Sequence, residues 1–242
     1  MTRNLEPPSG DLDDWDLLYL ARGADEIVGH RPFFTGDVFA EVPVQGPRAD
    51  LKTKTVMVIQ HPCAMRPDGI NLSESILVAE VHKFPVLPPD KWYTSGKLMP
   101  LPDLLIDVTS NRRHQAAFFD DTFHAHPLDL KNRIACLSPR GVNLLLQRWV
   151  YHSSRVIVPS FDFETAVSSV YEQADIIEEW CEIAMAAGRA PDEATEDAHA
   201  WLREVESGLT RERALQDPQR RAVIRRQARA AAPAWRHRPL AT

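Results

Sequence analysis

One apolar run that ends at a proline constrains the fold of this chain more than any other feature. Residues 55–63 read Thr-Val-Met-Val-Ile-Gln-His-Pro-Cys. Valine and isoleucine favour a pleated and largely buried strand. Pro62 has no N–H for a sheet ladder, so the strand is predicted to end at His61. Gln60 to Cys63 would then emerge at a strand end, where loops often carry chemistry.

Further short apolar segments surround this run, and they are separated by glycines and prolines. They cover residues 36–42, 75–81, 104–108, 116–119 and 133–137. Short strands divided by turns over about 100 residues predict a small twisted barrel or sandwich. We place Val56, Val58, Ile59, Leu77, Val78 and Ile134 in its core.

The character of the chain changes after Leu137. Ser138 is a good N-cap and Pro139 suits the first helical position, and apolar residues then recur at helical spacing in four segments. Residues 1–12 are predicted to be disordered and residues 13–22 to be helical. The prediction is an α+β chain with an N-terminal arm and short helix (1–32), a β-barrel domain (33–137) and a helical extension with a basic tail (138–242).

Composition excludes several classes of protein. With 44% hydrophobic and 26% charged residues, the chain has the composition of a soluble domain. No apolar run approaches the length needed to span a bilayer, and the N-terminus lacks the apolar centre of a secretory signal. The three cysteines are widely spaced, which suits a reducing compartment. We therefore expect a cytoplasmic protein with no membrane contact.

Charge is distributed asymmetrically near the C-terminus. Residues 161–210 carry thirteen acids against two arginines (−11), whereas residues 211–242 carry nine arginines against two acids (+7). Arg221, Arg225 and Arg229 repeat at every fourth position and form a predicted stripe. The stripe could track the phosphates of a nucleic acid. Alternatively, short turns could fold the helices antiparallel and pair it with the acids Glu172, Asp175, Glu178, Glu179 and Glu182.

Three segments, in order, resemble the MazF/PemK toxin family. They are Gly36-Asp37-Val38-Phe39, Val56-Met57-Val58-Ile59-Gln60 and Ser75-Ile76-Leu77-Val78-Ala79-Glu80-Val81. The resemblance covers roughly residues 33–150. It implies a small SH3-like barrel, usually dimeric, that cleaves single-stranded RNA and is held by an antitoxin. The ninety or so residues that follow lie outside it.

The resemblance also implies site positions. The Ser/Thr of the family matches Ser75, whereas its arginine is replaced by Lys54 and the adjoining proline by Thr55. Lysine offers one mobile point charge where a guanidinium binds phosphate with two hydrogen bonds, so a weak or inactive endoribonuclease is expected. The alternative is a non-catalytic interaction or accessory protein of a bacterial defence system, which binds a protein partner.

His61 and Cys63 form a separate candidate site. They could act as general base and nucleophile, or as soft metal ligands together with His124 and His126. The spacing matches no zinc signature, so the simpler interpretation is a histidine that caps a turn beside a buried cysteine. No metal or cofactor is predicted.

Several other basic and aromatic residues have two interpretations each. The clusters Arg112-Arg113-His114 and His30-Arg31 could contact phosphate, but solvated loop charge is the simpler reading. Arg148 and His152 are expected to form a surface pair on the first long helix. Trp92 and Tyr93 could stack a nucleobase or could pack a loop onto the barrel.

Overall fold

The computed structural model describes residues 4–8, 15–23, 26–45, 51–67, 71–106 and 112–235. The chain divides into two compact units. The first, here called the sheet unit, comprises Met1–Ile27 and Phe33–Thr165, and the second, the helical unit, comprises Val28–Pro32 and Ala166–Thr242. The division by contacts therefore falls within the second long helix, whereas the sequence-based division at Leu137 follows the change in secondary structure.

The sheet unit is built on seven antiparallel strands. They are β1 (Tyr19–Arg22), β2 (Val38–Gln45), β3 (Leu51–Val58), β4 (Ile76–Lys83), β5 (Leu98–Ile106), β6 (Arg112–Ala125) and β7 (Asn132–Leu137). Their order across the sheet is β1-β7-β2-β3-β4-β6-β5. The predicted α+β class is confirmed, although the strands form one large antiparallel sheet.

The prediction of a closed barrel is wrong, because β1 and β5 form the two edges of the sheet in the described part of the chain. The edge strand β5 contains Pro100 and Pro102, which lack the N–H groups that a continuous outer ladder needs. The edges meet through a side chain instead, since the Tyr19 hydroxyl donates to the Pro102 carbonyl at 2.8 Å. The sheet is curled but open.

The central strand β3 begins and ends earlier than predicted. It ends at Val58 rather than His61. Two residues later, the Gln60 side chain accepts the Leu77 N–H at 2.7 Å, so a side-chain hydrogen bond takes the place of a backbone hydrogen bond there. Its first residues, Leu51 to Lys54, are strand where a loop was expected.

The predicted core is largely confirmed. Val56, Val58, Ile59 and Val78 have no exposed surface, while Leu77 and Ile134 are half-buried. Cys136 and Cys181 are also buried as expected.

The Gly36-Asp37 segment shapes the start of β2. Gly36 has φ +88°, and a Cβ there would lie 2.9 Å from the side chain of Leu137, so the position requires glycine. The Asp37 carboxylate accepts the Phe34 N–H at 2.9 Å and lies 3.3 Å from Nε of Arg133. The turn and the strand are therefore fixed by one buried ion pair.

The helices follow the sheet in chain order. They are α1 (Pro62–Met65), α2 (Pro89–Trp92), α3 (Pro139–Ser154), α4 (Ser160–Ala186), α5 (Pro191–Arg203), α6 (Arg211–Ala214) and α7 (Pro218–Ala231). Short 3-10 turns cover Trp15–Leu18 and Pro127–Asp129, and a small hairpin pairs β8 (Val205–Glu206) with β9 (Leu209–Thr210). The predicted caps are confirmed, because Ser138 accepts the Gly141 N–H and Asp217 accepts the Gln219 N–H. Among the described helices, none is long and apolar enough to cross a membrane.

The N-terminal segment differs from both predictions made for it. The predicted helix over 13–22 is wrong for residues 19–22, which form β1, and the predicted disorder is wrong for residues 4–8. The Glu6 carboxylate accepts hydrogen bonds from the Ser160 N–H (2.9 Å), the Ser160 hydroxyl (2.6 Å) and the Gln147 amide (3.0 Å). Residues 4–8, here called the N-terminal anchor, therefore join α3 to the first turn of α4.

A second core lies in the helical unit. Trp180 of α4 packs against Trp201 of α5 with ring centroids 5.3 Å apart, and the cluster continues into α6 and α7 through Leu215 and Ile224. The buried Arg189 side chain forms an ion pair with Asp197 and donates to the Trp235 carbonyl at 2.6 Å. Aromatic packing and one buried ion pair thus hold these helices together.

Candidate nucleic-acid interface

The most distinctive surface of the sheet unit lies where β4 ends, beside β6. His82 and Phe118 stack with ring centroids 3.9 Å apart and planes 5° from parallel. Phe84 meets the edge of Phe118 at 5.8 Å and 73°. His82 and the neighbouring Lys83 are exposed, whereas Phe84 and Phe118 are half-buried. We call His82, Lys83, Phe84, His114 and Phe118 the aromatic-basic face.

An irregularity in β6 produces this stack. Ala79 pairs with Thr122, but the next residue, Glu80, pairs with Phe118, so β6 uses three more residues than β4 at this point. Such a bulge bends its strand and redirects side chains. Here it places Phe118 beside the exposed ring of His82.

A shallow hollow adjoins the stacked rings. It has a volume of about 290 Å³ and is lined by Lys83, Phe84, Pro85 and His114. The His114 carbonyl accepts the Phe84 N–H at 3.2 Å, and its Nδ1 accepts the Asp103 N–H at 3.2 Å. The hollow therefore has a fixed floor, with the charge of Lys83 at its rim.

Lys54 lies near this face, but its charge is neutralised. Its Nζ is 2.6 Å from the Glu80 carboxylate, and both side chains are largely buried. Thr55 pairs with Val81, so Lys54 sits opposite the end of β4 that carries the aromatic residues.

The structure does not bring Lys54 and Ser75 together. Ser75 precedes β4 and is six residues from Val81, which pairs with the neighbour of Lys54. At about 3.3 Å per residue, this separates the two positions by about 20 Å along the ladder. The backbone N–H of Ser75 donates to the Ser73 hydroxyl at 3.4 Å. The two positions implied by the resemblance cannot contact one phosphate.

His61 and Cys63 lie at the Ser75 end of the sheet and make a cap. Nδ1 of His61 accepts the backbone N–H of Cys63 at 3.3 Å, which fixes the start of α1. Burial lowers the pKa of His61, which favours this neutral acceptor. The capping interpretation is therefore confirmed, although Cys63 is exposed rather than buried.

The histidines proposed to complete a metal site serve other purposes. His124 is exposed on β6 opposite Leu77, and His126 caps a 3-10 turn by accepting the Leu128 N–H at 3.1 Å. Within the described ranges, no group of three or more His, Cys, Asp or Glu side chains is arranged to hold a metal ion.

The three arginines of the α7 stripe are engaged inside the helical unit. Arg225 lies 2.9 Å from Glu172 and 3.5 Å from Asp175, and Arg229 lies 2.5 Å from Glu179. Arg221 donates to the Ser168 hydroxyl at 2.9 Å. The predicted pairing of the stripe with the acids of α4 is confirmed for Arg225 and Arg229. Because partner numbers rise together, α7 runs parallel to α4 rather than antiparallel.

Arg31 joins the same acidic surface of α4. It is buried, lies 3.3 Å from Asp175 and forms a second ion pair with Glu178. The prediction of solvated loop charge is therefore wrong for Arg31. Arg112 and Arg113, expected on a loop, begin β6 instead.

Arg148 is the residue whose environment differs most from its sequence-based prediction. It has no exposed surface and donates to the carbonyls of Leu144, Glu6 and Trp92, with its guanidinium 5.0 Å from the centre of the Trp92 ring. Burial lowers its pKa to about 9, so it remains charged at neutral pH. The predicted surface pair with His152 is wrong. Trp92 is a packing residue, which agrees with one of the two interpretations given for it.

No protein-family model matches the chain, and no curated protein matches it. The resemblance to the MazF/PemK family therefore remains a prediction from the three strand segments.

Proposed function

We propose that this protein binds single-stranded RNA on the aromatic-basic face. The observation that carries the proposal is the exposed His82 ring, stacked on Phe118 and flanked by Phe84. An unpaired base can extend such a stack, and each stacked base contributes about 1–3 kcal/mol. Lys83 supplies a positive charge for the backbone beside it.

The resemblance of β2, β3 and β4 to an RNA-acting family supports RNA as the ligand. We also propose that the sheet of this protein is related to the SH3-like barrel of that family, and that the barrel is opened here between β1 and β5. The proposal also includes the cytoplasmic location that an RNA ligand implies, and the homodimer and antitoxin partner that the family implies.

Binding, rather than cleavage by the implied pair, is the function that the geometry supports best. Lys54 is paired with Glu80, and Ser75 is about 20 Å away along the ladder. The cleavage site implied by the resemblance needs its positive charge and its hydroxyl at one scissile phosphate. We therefore expect Lys54→Ala and Ser75→Ala to leave RNA binding largely unchanged.

The test is fluorescence anisotropy with a labelled single-stranded RNA of about 12 nucleotides at low salt, since one stacking domain covers about 4–16 nucleotides. His82→Ala removes the outer ring of the stack and should weaken binding about tenfold, which corresponds to about 1.4 kcal/mol. His124→Ala is the matched control, because His124 is also exposed on this sheet. It lies five residues along the ladder, or about 16 Å away.

The proposal predicts two further results. A duplex of the same sequence should bind less tightly, because its bases cannot stack on a protein ring. Lys83→Ala should reduce the slope of log K against log salt by about 0.7. If His124→Ala weakens binding as much as His82→Ala, or if the wild type binds no RNA at low salt, the proposal is wrong.

A further inference from the structure

A groove in the helical unit lies between the β8–β9 hairpin and α7. It has a volume of about 210 Å³, and we call it the hairpin groove. Its lining residues are Glu206, Ser207, Leu209, Arg211, Ala214, Gln219, Arg220, Val223, Ile224 and Gln227. Ala214 and Ile224 form a buried apolar floor, whereas Leu209 and Val223 are 42% and 44% exposed on the rim. Val205, on the paired strand, is 69% exposed.

The size of the hairpin groove selects among ligand classes. Small-molecule sites usually measure about 300–1,000 Å³, which is larger than this groove. An apolar cavity of about 150 Å³ already accepts a benzene-sized group. The groove therefore has room for one or two aliphatic side chains. Exposed apolar residues gathered around such a space are typical of a protein-binding surface.

The charges around the hairpin groove favour a negatively charged ligand. Arg226 is exposed, and within the described part of the chain no carboxylate lies at ion-pair distance from it. Arg220, on the groove itself, is half-exposed, with Nε 3.7 Å from Asp217. Arg226 lies seven residues after Gln219, which at 3.6 residues per turn puts both on the same side of α7.

The acid on the groove is already satisfied. The Glu206 carboxylate accepts from Nε of Arg211 at 3.1 Å and from the Gln227 amide at 3.1 Å. Arg211 is bound in turn to Glu204 and to the Trp201 carbonyl. The groove thus offers an apolar floor, with Arg220 on its wall and the exposed Arg226 beside it, and little repulsion for an incoming carboxylate.

We propose that the hairpin groove docks a segment of a partner protein in which aliphatic side chains alternate with carboxylates. The aliphatic groups fill the space over Ala214 and Ile224, and the carboxylates meet Arg220 and Arg226. This surface is independent of the proposed RNA site, so either can fail without the other.

The probe is a labelled amphipathic peptide of about 12 residues, with leucine at every third or fourth position and glutamate between, a spacing that suits a helix in a groove. A second peptide carries lysine in place of every glutamate. The full-length protein should bind the glutamate peptide at least about tenfold more tightly than the lysine peptide. Binding should weaken as salt rises, because the arginines are exposed.

Two variants of α7 separate groove binding from general charge effects. Val223→Asp puts a carboxylate on the groove rim and should weaken the glutamate peptide about tenfold or more. Ala222→Asp places the same charge one residue away, at an exposed position outside the groove, and should stay within about twofold of wild type. Arg226→Glu, which alters charge without filling the groove, should also weaken binding, and circular dichroism checks that each variant is folded.

Several outcomes would overturn the proposal. They are equal binding of the two peptides, no binding of the glutamate peptide by the wild type, and equal losses in Val223→Asp and Ala222→Asp. Displacement of the bound peptide by single-stranded RNA would also overturn it, since the groove would then be a nucleic-acid site.

Discussion

Glu6→Gln is the change that tests the N-terminal anchor most directly. The side chain keeps its size, but one carboxylate oxygen becomes an NH₂ group, and the amide oxygen that remains is a neutral acceptor. In the wild type, that carboxylate receives the N–H and hydroxyl of Ser160 and the amide of Gln147. The substitution therefore replaces an anion by a neutral amide at the N-terminus of the long helix α4.

The expected cost follows from two contributions. The negative charge next to the helix dipole contributes about 0.3–1 kcal/mol. Hydrogen bonds to a charged group exceed neutral ones by about 1 kcal/mol. Together they predict a loss of about 1–2 kcal/mol for the opening of this end of α4.

Hydrogen exchange followed by mass spectrometry measures that local opening. Amides in the first turn of α4 should exchange roughly 5- to 30-fold faster in Glu6→Gln, since 1.4 kcal/mol is a factor of ten. Glu164→Gln is the matched control. It removes the same charge from the same end of α4, where Glu164 is exposed. We expect its exchange to change by less than about threefold.

The pH dependence gives a second, independent result. Burial alone would raise the pKa of Glu6, but the hydrogen bonds from Ser160 and Gln147 lower it below its ordinary 4.5. A carboxyl group with a lowered folded pKa stabilises above the unfolded value and loses that stabilisation as pH falls through the folded value. The difference between wild type and variant should therefore shrink below pH 4.5. Equal exchange in the two proteins at pH 7, or a difference that persists in acid, would refute the reasoning.

Three other substitutions have definite expected outcomes. Val58→Asp buries an unpaired charge at a position with no exposed surface, so a loss above about 4 kcal/mol and little soluble protein are expected; a cooperatively folding variant would contradict the core assignment. Arg189→Met leaves buried Asp197 without its guanidinium partner and should cost about 3–5 kcal/mol by urea unfolding, with partial recovery when Asp197→Leu is added. His61→Asn keeps the cap but not the titration. Because burial lowers the pKa of His61 below 6.5, the wild type should lose stability as pH falls through 6.5, whereas the variant should change little over that range.

The sequence was informative wherever a local rule decided the structure. Ser138-Pro139 begins α3 as predicted because a capping side chain and a residue without an N–H suit the first turn of any helix. The pairing of Arg225 and Arg229 with acids of α4 was also predictable. It needed only opposite charges on helical faces, whereas the antiparallel arrangement expected from short turns was wrong.

Closure of the sheet and the Lys54–Ser75 site could not be predicted in the same way. Strand segments reveal alternation, but they do not reveal which edges pair, and Pro100 and Pro102 leave β5 as an edge. The ladder register then sets Lys54 and Ser75 at opposite ends, although Lys54 lies in β3 and Ser75 directly precedes β4, its partner strand.

The sequence by itself determined the elements of this protein, namely the β-rich first half, the helical second half and the charge asymmetry between α4 and α7. Only the tertiary structure decided the aromatic-basic face and the burial of Arg148. The stack of His82 on Phe118 depends on a three-residue bulge in β6, and the Arg148 guanidinium donates to main-chain carbonyls of the distant residues Glu6 and Trp92. The periodicity of apolar residues reflects steric contacts between near neighbours, so it can be read from a short stretch of sequence. Register shifts and hydrogen bonds to distant carbonyls depend on the fold as a whole. Every residue type carries the same main-chain carbonyl, so the sequence does not show which carbonyl a side chain will reach.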